Sequence, residues 1–156
     1  MSSPPVIHDT FTINRSYPAV PERVFAAFAQ ADKKRRWFAE SDSHVVEAFE
    51  QEFRVGGSEY LEYRYKPGSP FAGVVVKSEG RFQDILDNRR VVTASLMTLG
   101  GKRISASLVT LELSSTAEGT DLTCTFQGAF FEGADGPKIR VMGWRHLLEK
   151  LANAIG

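Results

Sequence analysis

The residues best suited to catalysis or metal binding are few and far apart in the sequence. His8, His44 and His146 show no metal-ligand or catalytic-triad spacing, and Cys124 is the single cysteine. A metal centre needs several converging ligands, so we expect no metal and no cofactor. Cys124 falls on the apolar side of an alternating segment, where a thiol behaves as an inert hydrophobe. Neither metal catalysis nor thiol catalysis is predicted.

Four carboxylates on predicted strands leave acid/base chemistry open: Glu59, Glu62, Glu79 and Asp84. A carboxylate that points into an apolar cavity has a raised pKa and is suited to proton transfer. Alternation does not fix which of them point inward, because a bulge shifts the register of a strand. Taken singly, each is expected on the exposed face, where carboxylates normally lie.

The only basic run, Lys33 to Arg36, directly precedes Trp37. Because Lys+Arg and Asp+Glu are both 19, this run is expected to be a solvated helix face rather than a nucleic-acid contact. Two glycine pairs, at 56–57 and 100–101, lie between predicted strands. Neither opens a helix, so both are predicted to be turns and not phosphate loops.

Length and composition indicate one ordinary globular domain. The chain has 156 residues, of which 42% are hydrophobic and 24% charged. Residues 1–7 are expected to be a flexible tail before a single domain at 8–156. One cysteine permits no internal disulfide, which favours the cytoplasm, and no membrane-spanning run is visible, so no membrane partner is expected.

The pattern of elements predicts an α+β fold. Residues 9–17 alternate as a first strand, and the segments PERVFAAFA and DKKRRWF then predict two short helices. From Ser43 onward, six more strands are separated by turn signals, which indicates an antiparallel sheet. One long helix over 135–155 follows, and it alone is long enough to cover the sheet.

We expect the side chain of Asp135 to cap the first turn of this helix, with Gly136 and Pro137 at its entry. At about 100° per residue, six apolar residues fall on one stripe that faces the sheet. They are Val141, Trp144, Leu148, Leu151, Ala152 and Ile155.

The order of the segments TFTINRSYPAVPERVFAAF, FRVGGSEY, GRFQDI, RRVVTA, GTDLTCTF and MGWRHLLEKLA resembles the START-like helix-grip (SRPBCC) superfamily. Within it, the chain is most similar to bacterial proteins related to the C-terminal domain of the Hsp90 ATPase activator. The resemblance covers about residues 8 to 155. It implies a six- or seven-stranded antiparallel sheet wrapped around a long C-terminal helix, with two short helices after the first strand.

The resemblance also implies a cavity between the long helix and the sheet, where a small apolar or aromatic molecule binds. The positions expected to line it are Trp37, Phe38, Tyr63, Tyr65, Phe82, Met97, Phe126, Phe130, Trp144 and Leu148. The alternative is that these side chains fill the core completely. If Tyr63 and Tyr65 are buried, their hydroxyls need partners, which a ligand or water can supply.

Arg140 lies at the edge of the apolar stripe, where it either fixes a ligand carboxylate at the cavity mouth or pairs with a surface acid. Three functions stay open: a ligand-binding protein, a cofactor-free cyclase, dehydratase or hydrolase acting on polyketide-like or aromatic substrates, and a chaperone-associated protein. Hsp90 activation itself is not expected, because the chain has no room for the co-chaperone's separate N-terminal domain. Ile139 and Met142 lie off the stripe and suggest a homodimer.

Overall fold

Seven antiparallel strands form one sheet in the computed structural model, which describes residues 5–155. The strands are β1 (Ile7–Tyr17), β2 (His44–Gln51), β3 (Ser58–Tyr65), β4 (Val75–Leu86), β5 (Arg90–Leu99), β6 (Lys102–Thr116) and β7 (Gly119–Phe130). Their spatial order is β1-β7-β6-β5-β4-β3-β2, so every neighbour except β1 and β7 is joined by a direct connection. The predicted α+β helix-grip architecture is confirmed. Of the predicted tail, residues 1–4 lie outside the described residues.

Two short helices follow β1, as predicted. Helix α1 (Pro21–Ala29) begins on a proline, which suits the first helical position, and helix α2 (Ala31–Lys34) continues directly into a π-helical segment, Arg35–Ala39. The π-helical segment carries Trp37 into the core. There its indole N–H donates to the carbonyl oxygen of Ala27 at 2.8 Å, and no part of the side chain is exposed.

The glycine pair at 100–101 makes the tight turn between β5 and β6. Gly100 and Gly101 have φ angles of 58° and 83°, the left-handed values that a two-residue hairpin turn of this type requires. The prediction that this pair is a turn is therefore confirmed.

Helix α3 (Pro137–Ile155) begins two residues later than the predicted cap. The prediction that Asp135 caps the first turn was wrong, because both carboxylate oxygens of Asp135 accept hydrogen bonds from Arg140 instead. The backbone N–H of Arg140 donates to the carbonyl oxygen of Gly136 at 3.1 Å, so the first helical bond starts there.

The two halves of α3 differ in how closely they pack. In the C-terminal half, Leu148, Leu151, Ala154 and Ile155 are buried, and the hydroxyl of Tyr17 donates to the carbonyl oxygen of Leu148 at 2.7 Å.

In the N-terminal half, the apolar residues Val141, Trp144 and Leu147 are only partly buried. Ala152 is exposed, which corrects its place in the predicted stripe. At about 100° per residue it lies near the edge of the stripe, and Ala154 on the other side of Leu151 is buried instead. The helix is therefore anchored at its C-terminal end and more loosely covered near its start. Within residues 5–155, no helix has the length and apolarity needed to cross a bilayer.

Candidate functional site

Four small residues lie side by side across the middle of the sheet, on the face that α3 covers. Gly80 pairs with Ser95, Ser95 with Ser107, and Ser107 with Gly128. We call Gly80, Ser95, Ser107 and Gly128 the small-residue row. None of the four side chains extends beyond a hydroxymethyl group, and a glycine in a strand often marks close approach of another group. Here the ring of Phe126 lies over Gly128 and the hydroxyl of Ser95 lies against Gly80, so neither glycine is an empty position.

Water reaches part of the row although it faces the helix layer. Ser95 and Ser107 are only partly buried, whereas Thr93 and Val109, the next inward residues along the same two strands, are buried. Met97, on the other side of the row, is also partly buried. Arg140, near the start of α3, contacts Ser105, the inward residue next to Ser107, so the N-terminal half of α3 lies near this part of the row. The buried core begins on the other side, at Thr93 and Val109.

A buried ion pair closes the row at its β3 end. Glu59 lies opposite Gly80, only 5% of it is exposed, and its Oε2 is 2.5 Å from the Nζ of Lys34. The expectation that Glu59 would be exposed was wrong, because the register of β3 turns it toward the helices. The expectation that the basic run is entirely solvated was also wrong for Lys34, because α2 lies over this end of the sheet.

The ammonium group of Lys34 also lies over two aromatic rings, 5.2 Å from the centroid of Trp37 and 4.5 Å from that of Phe38. Such cation–π contacts stabilise a cation that has lost its water. Together with Glu59 they account for a lysine that is 5% exposed.

The other three candidate carboxylates remain on the outer face or at the edge, as expected. Glu62 accepts a hydrogen bond from the hydroxyl of Tyr60 at 2.6 Å, Asp84 pairs with Arg90 at 2.6 Å, and Glu79 is exposed. Glu59 is therefore the one carboxylate of the four that reaches the face under α3.

Arg140 enters the same region from α3. Its guanidinium donates to both oxygens of Asp135, at 2.8 Å from Nε and 2.7 Å from Nη2, and Nη2 also donates to the hydroxyl of Ser105 at 3.0 Å. The group lies over the rings of Phe126 and Phe130, 5.6 Å and 5.1 Å from their centroids. The sequence left open whether Arg140 binds a ligand carboxylate or pairs with a surface acid. It pairs with an acid, Asp135, but only 8% of Arg140 is exposed, so the pair lies below the surface.

Tyr63 faces this charged group from β3. Burial is the main reason that the pKa of Tyr63 is raised, and Tyr65 raises it further. The positive charge of Arg140 lowers this pKa and the negative charge of Asp135 raises it. The imidazole of His44 stacks on the Tyr63 ring at 3.9 Å, and burial lowers the pKa of His44. A neutral imidazole is therefore favoured here.

Aromatic side chains form the wall between α3 and β2. The ring centroid of Phe38 is 6.4 Å from that of Trp144 and 6.4 Å from that of Phe49. Phe38 and Trp144 are partly buried and pack against the core without being sealed in it.

The ten predicted lining residues divide into two groups by burial. Those buried in the core are Trp37, Phe82, Phe126, Phe130 and Leu148. Those only partly buried are Phe38, Tyr63, Tyr65, Met97 and Trp144. Of the second group, Met97 is the next inward residue to Ser95 along β5, whereas Tyr63 and Tyr65 lie two and three inward positions along β3 from Glu59. The sequence did not indicate the small-residue row.

Cys124 is buried on the core face, as predicted, and burial raises its pKa to about 12. A thiol with that pKa is protonated at neutral pH and is a poor nucleophile. In the part of the chain that the structure describes, no three His, Cys, Asp or Glu side chains group closely enough to hold a metal ion.

Two shallow depressions lie away from the row. One, of about 420 Å³, is bounded by residues including Val74, Lys77 and Thr98, and the other, of about 600 Å³, by residues including Glu40, His146 and Lys150. Both are open to solvent and lie away from the buried ion pairs.

Comparison with known proteins assigns the family. A family model described as "Activator of Hsp90 ATPase homolog 1-like protein" matches residues 18–156. The chain belongs to this family. Its fold family is typically ligand-binding. No curated protein matched the chain.

Several solved structures of this AHSA1-like fold are similar to the chain. A protein of Rhizobium leguminosarum described as uncharacterized is 30% identical, with a TM-score of 0.89 and coverage of 97% of this chain and 96% of that one. The protein Mll3558 of Rhizobium loti is 45% identical, with a TM-score of 0.85 and coverage of 96% and 99%. An AHSA1-like protein of Aeromonas hydrophila, 20% identical with a TM-score of 0.70 and coverage of 94% and 92%, shares the fold.

Proposed function

We propose that this AHSA1-like protein binds one small apolar or aromatic molecule over the small-residue row, beneath the N-terminal half of α3. The observation that carries the proposal is the row itself: four small inward residues in register across four strands, of which the two in the middle, Ser95 and Ser107, are only partly buried. Ligand sites are usually apolar recesses with a few placed polar groups.

The surrounding side chains support the proposal. Met97 flanks the row, and Phe38 and Trp144 present partly buried apolar surface beside it. A planar aromatic molecule would complete the burial of these groups and gain roughly 25 cal/mol for each Å² of apolar surface removed from water. The C-terminal half of α3 already packs fully, so the proposed site is confined to the other half.

An enzymatic function finds less support. Proton transfer requires an inward carboxylate or imidazole with a free site, and Glu59 is bound to Lys34. His44 lies opposite Tyr65, three inward positions along β3 from Glu59, and is therefore beyond the end of the row. Ligand binding therefore remains the function that we propose, in the cytoplasm.

Filling the recess tests this proposal. We expect Ser107→Leu to reduce binding of naphthalene, measured by isothermal titration calorimetry, by at least about tenfold, since the leucine occupies the ligand's position. If the space is open, the same change should alter the free energy of unfolding by less than about 1 kcal/mol, whereas insertion into a packed core costs roughly 1–3 kcal/mol.

Ser114→Leu is the matched control. It makes the same substitution in the same strand, but Ser114 is exposed and alternates with the buried Leu113, so it points away from α3. Equal naphthalene affinity in the wild type and both variants, or no binding to the wild-type protein, would overturn the proposed function.

Ile139 and Met142 are exposed, at 60% and 67%, as their positions on α3 predicted. The homodimer inferred from them stays a prediction.

A further inference from the structure

We propose that Asp135 makes the site selective for uncharged ligands: the favoured ligand is a neutral aromatic molecule with one hydrogen-bonding oxygen, which Arg140 binds, and carboxylates are disfavoured. This inference rests on the proposed function and adds the chemical class of the ligand. It also assigns Asp135, which touches no ligand itself, a role in specificity through Arg140.

The two buried cations that face the proposed site are already paired with carboxylates. Arg140 is matched by Asp135 through two hydrogen bonds of 2.8 Å and 2.7 Å, and Lys34 is matched by Glu59. Each buried cation therefore already has its own carboxylate. His44 adds no cation, because burial favours its neutral form.

Among the described residues, one further cation lies on the inward face of the sheet, Arg15. It is too far along the sheet to pair with a ligand carboxylate at the row. It lies opposite Leu122, which is three inward positions along β7 from Gly128. A ligand carboxylate at the row would consequently lose its water without gaining an unmatched positive charge. Burial of an uncompensated charge is far more costly than burial of a neutral hydroxyl or carbonyl that forms a hydrogen bond.

Arg140 keeps one nitrogen that can donate a hydrogen bond to a ligand. Nε and Nη2 of Arg140 are used by Asp135 and Ser105, whereas Nη1 has no hydrogen-bond partner within residues 5–155. Nη1 is also not among the polar atoms sealed from solvent without a partner. It can therefore donate to a ligand oxygen, and the hydroxyl of Tyr63 lies close enough to Arg140 for the two to influence each other electrostatically.

Asp135→Asn removes the negative charge at position 135 and changes the shape of the side chain little. Asparagine keeps one side-chain oxygen that can accept from Arg140, but the positive charge of the guanidinium is no longer cancelled. A carboxylate ligand then gains a charge-assisted partner that can bind it through two parallel hydrogen bonds. Glu132→Gln is the matched control. It removes the same unit of charge three positions before Asp135, and Glu132 is exposed and has no contact with Arg140.

The experiment compares 2-naphthol with 2-naphthoate, which have the same ring system but differ in charge near neutral pH. Dissociation constants are measured by calorimetry for the wild type, Asp135→Asn and Glu132→Gln. We expect the wild type and Glu132→Gln to prefer naphthol by at least about tenfold, and Asp135→Asn to move this preference toward naphthoate by at least about tenfold.

The outcomes separate the two proposals. Naphthoate binding to the wild type as tightly as naphthol would overturn the charge selection while leaving the binding function intact, and this comparison does not depend on any variant. An unchanged preference in Asp135→Asn would overturn the role of Asp135. If neither these probes nor naphthalene binds the wild type, the proposed function fails and the selectivity with it.

Discussion

Trp37→Ala is expected to lower the free energy of unfolding by roughly 3–5 kcal/mol, the cost of removing a fully buried aromatic side chain. No part of Trp37 is exposed, its ring lies 5.9 Å from that of Phe28, and its indole N–H donates to Ala27. The substitution therefore leaves both a void and a carbonyl oxygen without its partner. Urea denaturation followed by circular dichroism measures the change.

Trp144→Ala provides the comparison. Trp144 is only partly buried, beside the proposed site, so its removal is expected to cost less, roughly 1–2 kcal/mol, while weakening naphthalene binding. Equal destabilisation by the two variants would mean that Trp144 is packed as tightly as Trp37. That result would contradict an open space beneath the N-terminal half of α3.

Lys34→Ala is expected to destabilise the fold by roughly 3–5 kcal/mol, because it leaves the carboxylate of Glu59 buried without a partner. The double variant Lys34→Met, Glu59→Gln removes both charges and should recover much of this loss. The same denaturation measurement applies.

Arg36→Ala is the control for Lys34. It removes a cation from the same basic run, but the pair between Arg36 and Asp32 spans 4.0 Å and both side chains are mostly exposed. We expect a change of at most about 0.5 kcal/mol. If Lys34→Ala cost no more than Arg36→Ala, the pair between Lys34 and Glu59 would not be a buried interaction in solution.

The sequence predicts the architecture well because periodicity reports directly on burial. Alternation along the segment that became β7 placed Cys124 and Phe126 on the inward face, and the structure buries both. The length of the last helix and the order of the segments indicated that this helix covers an antiparallel sheet. The error at Asp135 has a local cause: an acidic residue before a helix commonly caps it, but here an arginine five residues later competes for the same oxygens.

The proposed site was less predictable because it depends on pairing between distant strands. The alternating residues Val91, Thr93, Ser95 and Met97 showed one face of β5, and the small size of Ser95 was a usable signal within it. That Ser95 lies between Gly80 and Ser107 follows only from the register of three strands. The pair between Lys34 and Glu59 likewise joins residues 25 positions apart, so no periodic pattern contains it.

The most direct test of the account is a titration with naphthalene followed by ¹H–¹⁵N correlation spectra. We expect the largest shifts at the backbone amides of Gly80, Ser95, Ser107 and Gly128 and at the indole N–H of Trp144, and no shift at the amide of Ser114. Shifts confined to the outer face of the sheet, or no shifts at naphthalene saturation, would contradict a binding site over the small-residue row.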